Sequence, residues 1–214
     1  PYRLPMLTGT NLKYTKDYNY RIVLETIRLF GPLSRADVAR RTALTPQTVS
    51  NIVKRLIEAS LIREADKRRE GRGAPSITLE VSPDGVYSIG LDLDRDHLTG
   101  VLVDFSGAVV DRVHYELNFP SPEHAIDLMT DAVEQFIARR DLPSDRISGI
   151  GVGFPGPIEI ARGSIVTNVV NPKAFPGWQR VPVTDLLTRR IDLPIFLENN
   201  ATAAAVGERG YGAG

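Results

Sequence analysis

A stripe of apolar residues at α-helical spacing stands out near the start of the chain. Its members are Val49, Ile52, Val53, Leu56 and Ile57, which fall at i, i+3, i+4, i+7 and i+8. Thr45 can cap a helix that starts here, and Pro46 suits its first helical position. The pattern therefore predicts an amphipathic helix over residues 45–59.

Two more helices are predicted before this one. Ser34 stands three residues before Asp37, which is the spacing of a capping box at the start of a helix over 34–42. Another helix is predicted from Asp17 to the helix-ending pair Gly31-Pro32. Its apolar face consists of Ile22, Val23, Ile27 and Phe30.

A β-hairpin is predicted directly after the third helix. Ile77–Val81 alternates between apolar and polar residues like a strand, and Leu61–Glu64 can pair with it. The residues Lys67–Gly73 between them form a long basic tip. Three helices followed by such a hairpin predict a winged helix-turn-helix, which is a DNA-binding arrangement.

After Val86 the pattern changes to strands and helices of an α/β fold. The predicted strands are Tyr87–Leu93, Leu98–Phe105, Val109–Leu117, Ile147–Gly153 and Ile195–Leu197. The predicted helices begin at Ser121-Pro122, Thr184 and Asn200, and the last of them is rich in alanine. The chain is thus predicted to contain an N-terminal arm at 1–16, a winged helix-turn-helix at 17–82 and an α/β domain at 83–214.

The two predicted domains carry opposite charge, although the net charge of the 214-residue chain is zero. Residues 1–80 hold 15 Lys and Arg against 8 Asp and Glu, whereas residues 81–214 hold 11 against 18. A basic small domain is suited to binding a phosphate backbone. The acidic remainder is not expected to lie on DNA.

Composition excludes several classes of protein. An apolar content of 42% and a charged content of 24% are typical of globular domains. The sequence contains no run of about 18 apolar residues, no signal-peptide pattern and no cysteine. These features favour a cytoplasmic protein without disulfides, thiolate metal sites or membrane spans.

The helix predicted at 45–59 carries polar side chains opposite its apolar stripe. The candidate DNA-binding residues on this face are Thr45, Gln47, Thr48, Ser50, Asn51, Lys54 and Arg55. Gln47 and Asn51 are predicted to contact base edges, and Lys54 and Arg55 to contact phosphates. The alternative is an ordinary helical hairpin with a solvated face.

Two arginines of the hairpin tip, Arg69 and Arg72, complete the predicted DNA-binding set. Arg72 lies between Gly71 and Gly73, so no bulky neighbour keeps its backbone away from a narrow groove. Arginine side chains are attracted to narrow minor grooves rich in A·T pairs. The alternative for this tip is a flexible, solvated loop.

Two other motifs do not support a binding site. Residues 151–156 formally match G-x-G-x-x-G, but Pro155 and Pro157 prevent the helix that a dinucleotide site needs. The three histidines, His97, His114 and His124, do not have the spacing of metal ligands and are interpreted as strand or surface residues.

Four blocks of the chain together resemble the ROK family, which comprises repressors, open reading frames and sugar kinases. A winged helix-turn-helix is followed by GVGFPGPIEIARGSIV, FPGWQRVPV and LPIFLENNATAAAVGE. The resemblance covers nearly all of residues 15–214. It implies an actin-like, ribonuclease-H-like ATPase fold in which a sugar binds between two lobes.

The chain departs from the kinases of this family at two positions. The kinases have D-x-G-G-T for the ATP phosphates, where this chain has Asp92-Leu93-Asp94-Arg95-Asp96, whose carboxylates repel phosphate charge. The kinases also have a general-base Asp in E-N-D, where this chain has Glu198-Asn199-Asn200, and an amide cannot accept that proton. A protein without kinase activity is therefore expected.

The resemblance implies a sugar site with the candidate residues Gly156, Asn171, Asn199 and Asn200. Asn199 and Asn200 can exchange hydrogen bonds with sugar hydroxyls, and Asn200 can also cap the following helix. Which asparagine of Asn168–Asn171 takes the family position stays open. Trp178 is expected to be a packing anchor rather than a sugar platform.

No cofactor is expected in this chain. The resemblance implies that the family's zinc ligands belong to a second lobe, which lies beyond this sequence. The sequence itself is expected to be part of a longer product.

The sequence therefore predicts a transcriptional regulator of carbohydrate metabolism that acts as a repressor. Its first domain would bind a double-stranded DNA operator as a homodimer or higher homo-oligomer, and its second would sense a sugar or sugar derivative. One alternative is a sugar kinase that carries a DNA-binding head. Another is a ligand-independent DNA-binding protein whose second domain serves for dimerisation.

Overall fold

The computed structural model describes residues 12–68, 76–155, 158–161, 167–170 and 177–204. The chain divides into two units, Pro1–Gly85 and Val86–Gly214. The sequence placed the corresponding division between residues 82 and 83. Among the described residues, no helix is both long and apolar enough to cross a lipid bilayer.

The helices of the first unit are α1 (Leu12–Phe30), α2 (Arg35–Thr42) and α3 (Pro46–Glu58). Ser34 caps α2 in the predicted capping box with Asp37. The side chain of Thr45 caps α3 by accepting a hydrogen bond from the Thr48 backbone N–H, and Pro46 occupies the first turn. The capping residues thus begin both helices of the helix-turn-helix where the sequence predicted.

Helix α1 begins at Leu12, so the predicted arm over 1–16 is too long and the predicted start at Asp17 is too late. Residues 12–16 contain neither proline nor glycine, and nothing in their backbone chemistry stops a helix. The prediction missed this turn because it relied on apolar periodicity, which starts only at Ile22 and Val23.

A three-stranded antiparallel sheet completes the first unit. Its strands are β1 (Leu33–Ser34), β2 (Ile62–Arg68) and β3 (Ser76–Val81), in the order β1-β3-β2. The pairing of β2 with β3 confirms the predicted hairpin. Strand β1 was not predicted, since two residues carry no periodicity. Leu33 pairs with Leu79, which ties the start of α2 to the hairpin.

The core of the first unit lies between the helices and the sheet. Of the apolar stripe on α3, Val49, Ile52, Val53 and Leu56 are buried and Ile57 is half-buried. Val23, Ile27, Val38, Ile62 and Leu79 of the neighbouring elements share this core. Burial of each such side chain stabilises the fold by about 1.5–3 kcal/mol. The packed stripe therefore fixes which face of α3 points outward.

The second unit is built around a five-stranded mixed sheet. In chain order its elements are β4 (Tyr87–Leu93), β5 (His97–Asp104), β6 (Val109–Glu116), α4 (Pro122–Arg140), β7 (Ile147–Phe154), β8 (Ile158–Ala161), β9 (Thr167–Val170), β10 (Val181–Pro182), α5 (Val183–Thr188) and β11 (Ile195–Asn199). The sheet order is β11-β7-β4-β5-β6. Strand β7 is parallel to β4 and β11, whereas β5 is antiparallel to β4 and β6. The predicted α/β layout is confirmed.

A small antiparallel sheet of β10, β9 and β8 was not predicted. Its strands are two to four residues long, too short for a readable alternation. Because 158–161 is a strand rather than a helix, the G-x-G-x-x-G match at 151–156 does not open a dinucleotide-binding helix.

Helix α4 covers one face of the main sheet. The residues that β4 turns toward it are Tyr87, Ile89, Leu91 and Leu93. Those that α4 contributes to the same core include Ile126, Met129, Val133 and Phe136. The carboxyl ends of the parallel strands β4, β7 and β11 meet at one edge of the sheet, where ligands bind in open α/β sheets.

Candidate functional site

Helix α3 presents a polar face on the side opposite the core. Gln47, Ser50, Asn51, Lys54 and Arg55 are all exposed. The amide of Gln47 donates a 3.4 Å hydrogen bond from Nε2 to Oδ1 of Asn51, one turn farther along the helix. The structure thus brings the two predicted base-contacting side chains together at the amino-terminal half of α3. This half is the part of a recognition helix that reaches base edges in helix-turn-helix proteins.

The two threonines of the predicted DNA-binding set have a structural role in the cap. The hydroxyl groups of Thr45 and Thr48 lie 2.8 Å apart, and Thr45 Oγ1 also accepts the Thr48 backbone N–H at 3.2 Å. Thr48 is half-buried, whereas its neighbours on the polar face are exposed. Both hydroxyl groups are therefore used in starting α3, and a contact with DNA stays a prediction for them.

The two cations of α3 have different surroundings. The side chain of Lys54 is 78% exposed, and its Nζ lies 3.9 Å from Oε1 of Glu58. The polar face therefore ends at a carboxylate on its carboxyl-terminal side. The guanidinium group of Arg55 lies over the ring of Tyr20 on α1, 5.5 Å from the ring centre. Burial raises the pKa of Tyr20, while the charge of Arg55 acts in the opposite direction. Arg55 is thus held on the α1 side of the helix, which apolar spacing alone did not indicate.

Helix α2 is held against its neighbours by arginines. Arg41 lies over the ring of Phe30 at 4.6 Å from the ring centre, and Arg35 bonds Glu64 of β2 at 2.8 Å. Arg40 pairs with Asp37, and the hydrogen bond from the Ser34 hydroxyl is the main cause that lowers the pKa of Asp37. These contacts join α2 to α1 and to the hairpin. The contacts of Arg41 and Arg35 therefore help to position α2, against which α3 packs.

The hairpin carries an ion pair between Arg63 of β2 and Glu80 of β3 at 2.7 Å. The predicted minor-groove residues Arg69 and Arg72 lie outside the described residues. Their role therefore stays a prediction.

A second cluster of polar side chains lies at the carboxyl edge of the main sheet. In the strand register, Asp92 of β4 and Glu198 of β11 are both paired with Gly153 of β7. A Cβ atom at Gly153 would lie 2.9 Å from Asp92 Oδ1 and 3.5 Å from Asn200 Cβ. The missing side chain of Gly153 therefore lets Asp92 and Asn200 flank one point on the sheet. This role of Gly153 was not predicted, although a glycine at the end of a strand is a signal of a close approach by neighbouring groups.

A hollow of about 580 Å³ lies on the face of the main sheet opposite α4 and extends to this edge. Its polar lining consists of Asp92, His97, Thr99, Arg112, Glu198 and Asn200. Its remaining wall is formed mainly by glycine and apolar residues of the sheet, including Gly90, Val101, Gly151, Val152 and Phe196, with Ala203 and Ala204. An apolar wall with a few convergent polar groups is typical of a small-molecule site.

The carboxylate of Asp92 is in a partly desolvated position. Burial raises its pKa, the neighbouring Asp94 acts in the same direction, and His97 acts against both. His97 Nε2 lies 4.0 Å from Asp92 Oδ2, and His97 Nδ1 lies 2.7 Å from Asp96 Oδ1. The ring of His97 stacks with that of His114 at a centroid distance of 5.7 Å.

Two backbone amides of the β4–β5 turn donate hydrogen bonds to acceptors within the turn itself. The N–H of Asp94 donates to the carbonyl of His97 at 2.8 Å, and the N–H of Arg95 donates to Asp94 Oδ1 at 2.7 Å. In this geometry neither amide points to an external acceptor. Among the described residues, no group of three or more His, Cys, Asp or Glu side chains is arranged to hold a metal ion.

The predicted sugar-site residues are only partly described. Asn199 directly precedes the helix that starts at Asn200, and its Oδ1 caps this helix by accepting the backbone N–H groups of Ala201 and Thr202 at 3.0 Å and 3.4 Å. Asn200 lies in the first turn, where its Oδ1 accepts the Ala201 N–H at 2.9 Å, so the cap is Asn199 and the prediction of Asn200 as the cap was wrong by one residue. Asn200 also lines the cavity, and its contact with a sugar stays a prediction. Gly156 and Asn171 lie outside the described residues, and their placement in the site stays a prediction.

Trp178 is the packing anchor that the sequence predicted. Its side chain is completely buried, its Nε1–H donates to the Pro120 carbonyl at 2.8 Å, and its ring lies 4.7 Å from that of Phe154. It therefore joins the end of β7 to the segment before α4.

Comparison with family models separates the two units in the same way. The model described as "ROK family" matches residues 88–214, and the model described as "MarR family" matches residues 17–73. The first match covers the sheet and its polar edge, and the second covers the helix-turn-helix and part of the hairpin.

Individual relatives combine both units. The xylose repressor of Bacillus spizizenii is 30% identical over 200 residues, which are 94% of this chain and 50% of that protein. A solved ROK family transcriptional regulator, described as a homologue of the Escherichia coli Mlc protein, has a TM-score of 0.67 at 23% identity and covers 92% of this chain and 49% of its own. This likeness shows the fold of both units.

A solved polyphosphate/ATP-glucomannokinase from Arthrobacter sp. strain KM is similar to part of the chain. Its TM-score is 0.51 at 28% identity, over 60% of this chain and 50% of its own. The chain spans about half the length of the xylose repressor and of both solved structures.

Proposed function

Because the chain belongs to the ROK family, we propose that it is a sequence-specific DNA-binding transcriptional repressor that responds to a sugar or sugar derivative. The observation that carries the proposal is the exposed amide pair Gln47 and Asn51 at the amino-terminal half of α3, in a winged helix-turn-helix joined to a ROK lobe. A xylose repressor is among the relatives that share both units.

The chemistry of α3 suits the major groove of DNA. A side-chain amide can donate a hydrogen bond to N7 of adenine and accept one from the N6 amino group. Lys54 can neutralise the charge of a phosphate. The Gln47 and Asn51 amides lie next to each other on this face, with Nε2 and Oδ1 3.4 Å apart. The excess of Lys and Arg over Asp and Glu in residues 1–80 adds a sequence-independent attraction to the backbone.

The edge of the main sheet suits a polyhydroxylated ligand. Carboxylates accept hydrogen bonds from hydroxyl groups, and an amide both donates and accepts. Asp92, Glu198 and Asn200 supply these groups around one cavity whose wall can pack against the carbon skeleton of a sugar. A ligand there would regulate DNA binding only if the DNA-bound and DNA-free states bind it with different affinity.

Two features support a regulator rather than a kinase. The amides of Asp94 and Arg95 are already used within the β4–β5 turn, so they are not available to ATP phosphates, and the nearby carboxylates repel phosphate charge. An asparagine stands at position 200, and a carboxamide cannot accept a proton as a general base near neutral pH.

The DNA-binding part of the proposal is tested by selection from a random duplex library, followed by affinity measurements on the selected sequence. Gln47→Ala and Asn51→Ala are each expected to weaken binding by about 1–3 kcal/mol and to relax specificity at one position. Asn19→Ala, an asparagine of α1 in the same unit, is the matched control and should leave affinity unchanged. Equal affinity of the three variants for the selected duplex would refute the assignment of α3.

The effector part is tested by thermal unfolding with xylose, glucose and N-acetylglucosamine. A ligand at a hundredfold excess over its Kd should raise the free energy of unfolding by about 2.7 kcal/mol. ATP turnover that depends on any of these sugars would contradict the absence of kinase chemistry.

A further inference from the structure

Three polar side chains of α3 lie in one line that ends at Arg55. Gln47, Asn51 and Arg55 follow at intervals of four residues, which places them along one side of the helix. Residue 55 lies about 12 Å farther along the helix axis than residue 47, and the major groove of DNA is about 12 Å wide. When the two amides reach base edges, Arg55 is therefore at the rim of the groove, beside the phosphates.

The guanidinium group of Arg55 rests on an aromatic ring and not on a carboxylate. It lies over the ring of Tyr20 on α1, 5.5 Å from the ring centre. In the stretches of chain that the structure describes, Arg55 forms no ion pair. Four other arginines of the first unit each bond a carboxylate, namely Arg28, Arg35, Arg40 and Arg63. A ring covers one flat face of a guanidinium and leaves the N–H donors in its plane free for another acceptor.

The ring of Tyr20 is fixed by the core of the first unit. Tyr20 is half-buried and packs against that core. Val23 and Ile27, three and seven residues farther along α1, are buried on the same side of the helix. The core therefore holds the ring in place, and the attraction between ring and cation restricts the guanidinium group.

We propose that Tyr20 is a positioning residue for recognition of the DNA backbone. Its ring orders the guanidinium group of Arg55 so that the free N–H donors face a phosphate at the rim of the major groove. A long side chain that is ordered before binding loses less conformational entropy when it meets its partner. The inference rests on the proposed function, because the phosphate belongs to DNA, and it adds a residue of α1 that acts through α3.

Substitutions at Arg55 test the phosphate contact. Affinities for the selected duplex and for a scrambled duplex are measured by fluorescence anisotropy between about 50 and 200 mM salt. Arg55→Gln should reduce the slope of log affinity against log salt by about 0.9 for both duplexes, which corresponds to the loss of one phosphate contact. Arg189→Gln removes an exposed arginine of the second unit and is the control, for which the slope should not change.

Substitutions at Tyr20 test the positioning role. Tyr20→Leu should weaken binding to both duplexes about two- to fivefold, because a long side chain must then be ordered on binding. Tyr20→Phe keeps the face of the ring and should bind within about 1.5-fold of the original chain. In the Arg55→Gln background, Tyr20→Leu should change the affinity by less than about 1.5-fold, because the side chain that it positions is gone.

Arg55→Lys tests the same point without a change in the core. The charge is kept, so the salt slope should equal that of the original chain. An ammonium group lacks the planar face that lies on the ring. The affinity should therefore fall about two- to fivefold.

Four results would overturn the proposal. Tyr20→Leu could weaken binding by the same factor with and without Arg55, or Tyr20→Phe could weaken it as much as Tyr20→Leu. Arg55→Lys could bind as tightly as the original chain, or the loss with Arg55→Gln could be confined to the selected duplex. An original chain that binds neither duplex is a separate outcome, which would overturn the proposed function and this inference with it.

Discussion

Single residues at the carboxyl edge of the main sheet control how closely polar side chains approach one another. Gly153 leaves room for Asp92 on one side and Asn200 on the other, whereas Gly151, two residues earlier on the same strand, has only the Ile89 carbonyl near its missing Cβ, at 4.0 Å. The same substitution at the two positions therefore meets different surroundings. This contrast makes the pair a sensitive test of the site.

Gly153→Ala is expected to lower the free energy of unfolding by about 1 kcal/mol, because its Cβ must displace the Asp92 carboxylate. It should also reduce sugar-dependent stabilisation. Gly151→Ala is the matched control for the free energy of unfolding without sugar and should be neutral or slightly stabilising, since alanine in a strand is less costly than glycine by roughly 0.5–1 kcal/mol. Urea unfolding with and without sugar measures both effects. If the two substitutions changed the free energy of unfolding equally, the role given to Gly153 would be contradicted.

The raised pKa of Asp92 predicts a pH-dependent stability. A carboxyl whose pKa is higher in the folded than in the unfolded chain favours folding below the unfolded value, near 3.8, and loses that contribution as the pH rises through the folded value. Asp92→Asn should therefore be more stable than the wild type at neutral pH, and the difference should shrink as the pH falls toward 4. A difference that does not change with pH, or one of opposite sign, would contradict the partial desolvation of this carboxyl.

At the scale of elements, Trp178 holds together segments that are far apart in sequence. Its indole N–H satisfies the Pro120 carbonyl just before the cap of α4, and its ring packs on Phe154 at the end of β7. The apolar core that surrounds it is shared by the sheet, α4 and α5. The position of the carboxyl edge therefore depends on this anchor.

Trp178→Phe keeps a buried ring but removes the donor to Pro120. The carbonyl left without this bond should lower the free energy of unfolding by about 1–3 kcal/mol. Thermal unfolding of the whole chain measures the loss. Trp178→Phe with unchanged stability would mean that the hydrogen bond does not contribute to holding the segment before α4.

The elements differed in how far the sequence predicted them. Capping residues and apolar spacing located α2, α3, α4 and the hairpin, since those signals are local. The first turn of α1, the two-residue strand β1 and the small sheet of β8 to β10 were missed, because they are short or lack apolar periodicity. The packing of Arg55 on Tyr20 and the role of Gly153 depend on tertiary contacts, which no spacing in the sequence encodes.

At the scale of the molecule, the chain joins two units with opposite charge and different chemistry. The basic unit carries the exposed amides of α3, and the acidic unit carries the polar edge of a ROK lobe. The separation of charge favours DNA contact by the first unit and disfavours it by the second. In the proposed function, a sugar bound to the second unit would change DNA affinity by a factor of about 5–150, which is the usual range of coupling between two sites.

In the proposed function, one chain binds a specific DNA sequence and a sugar changes this binding. Fluorescence anisotropy with the selected duplex and a scrambled duplex of equal length, each with and without the sugar that stabilises the protein most, tests it directly. The selected duplex should bind at least about a thousandfold more tightly than the scrambled one, and the sugar should shift only the affinity for the selected duplex by at least about fivefold. Equal binding of the two duplexes, or a selected-duplex affinity that no sugar changes, would contradict the claim.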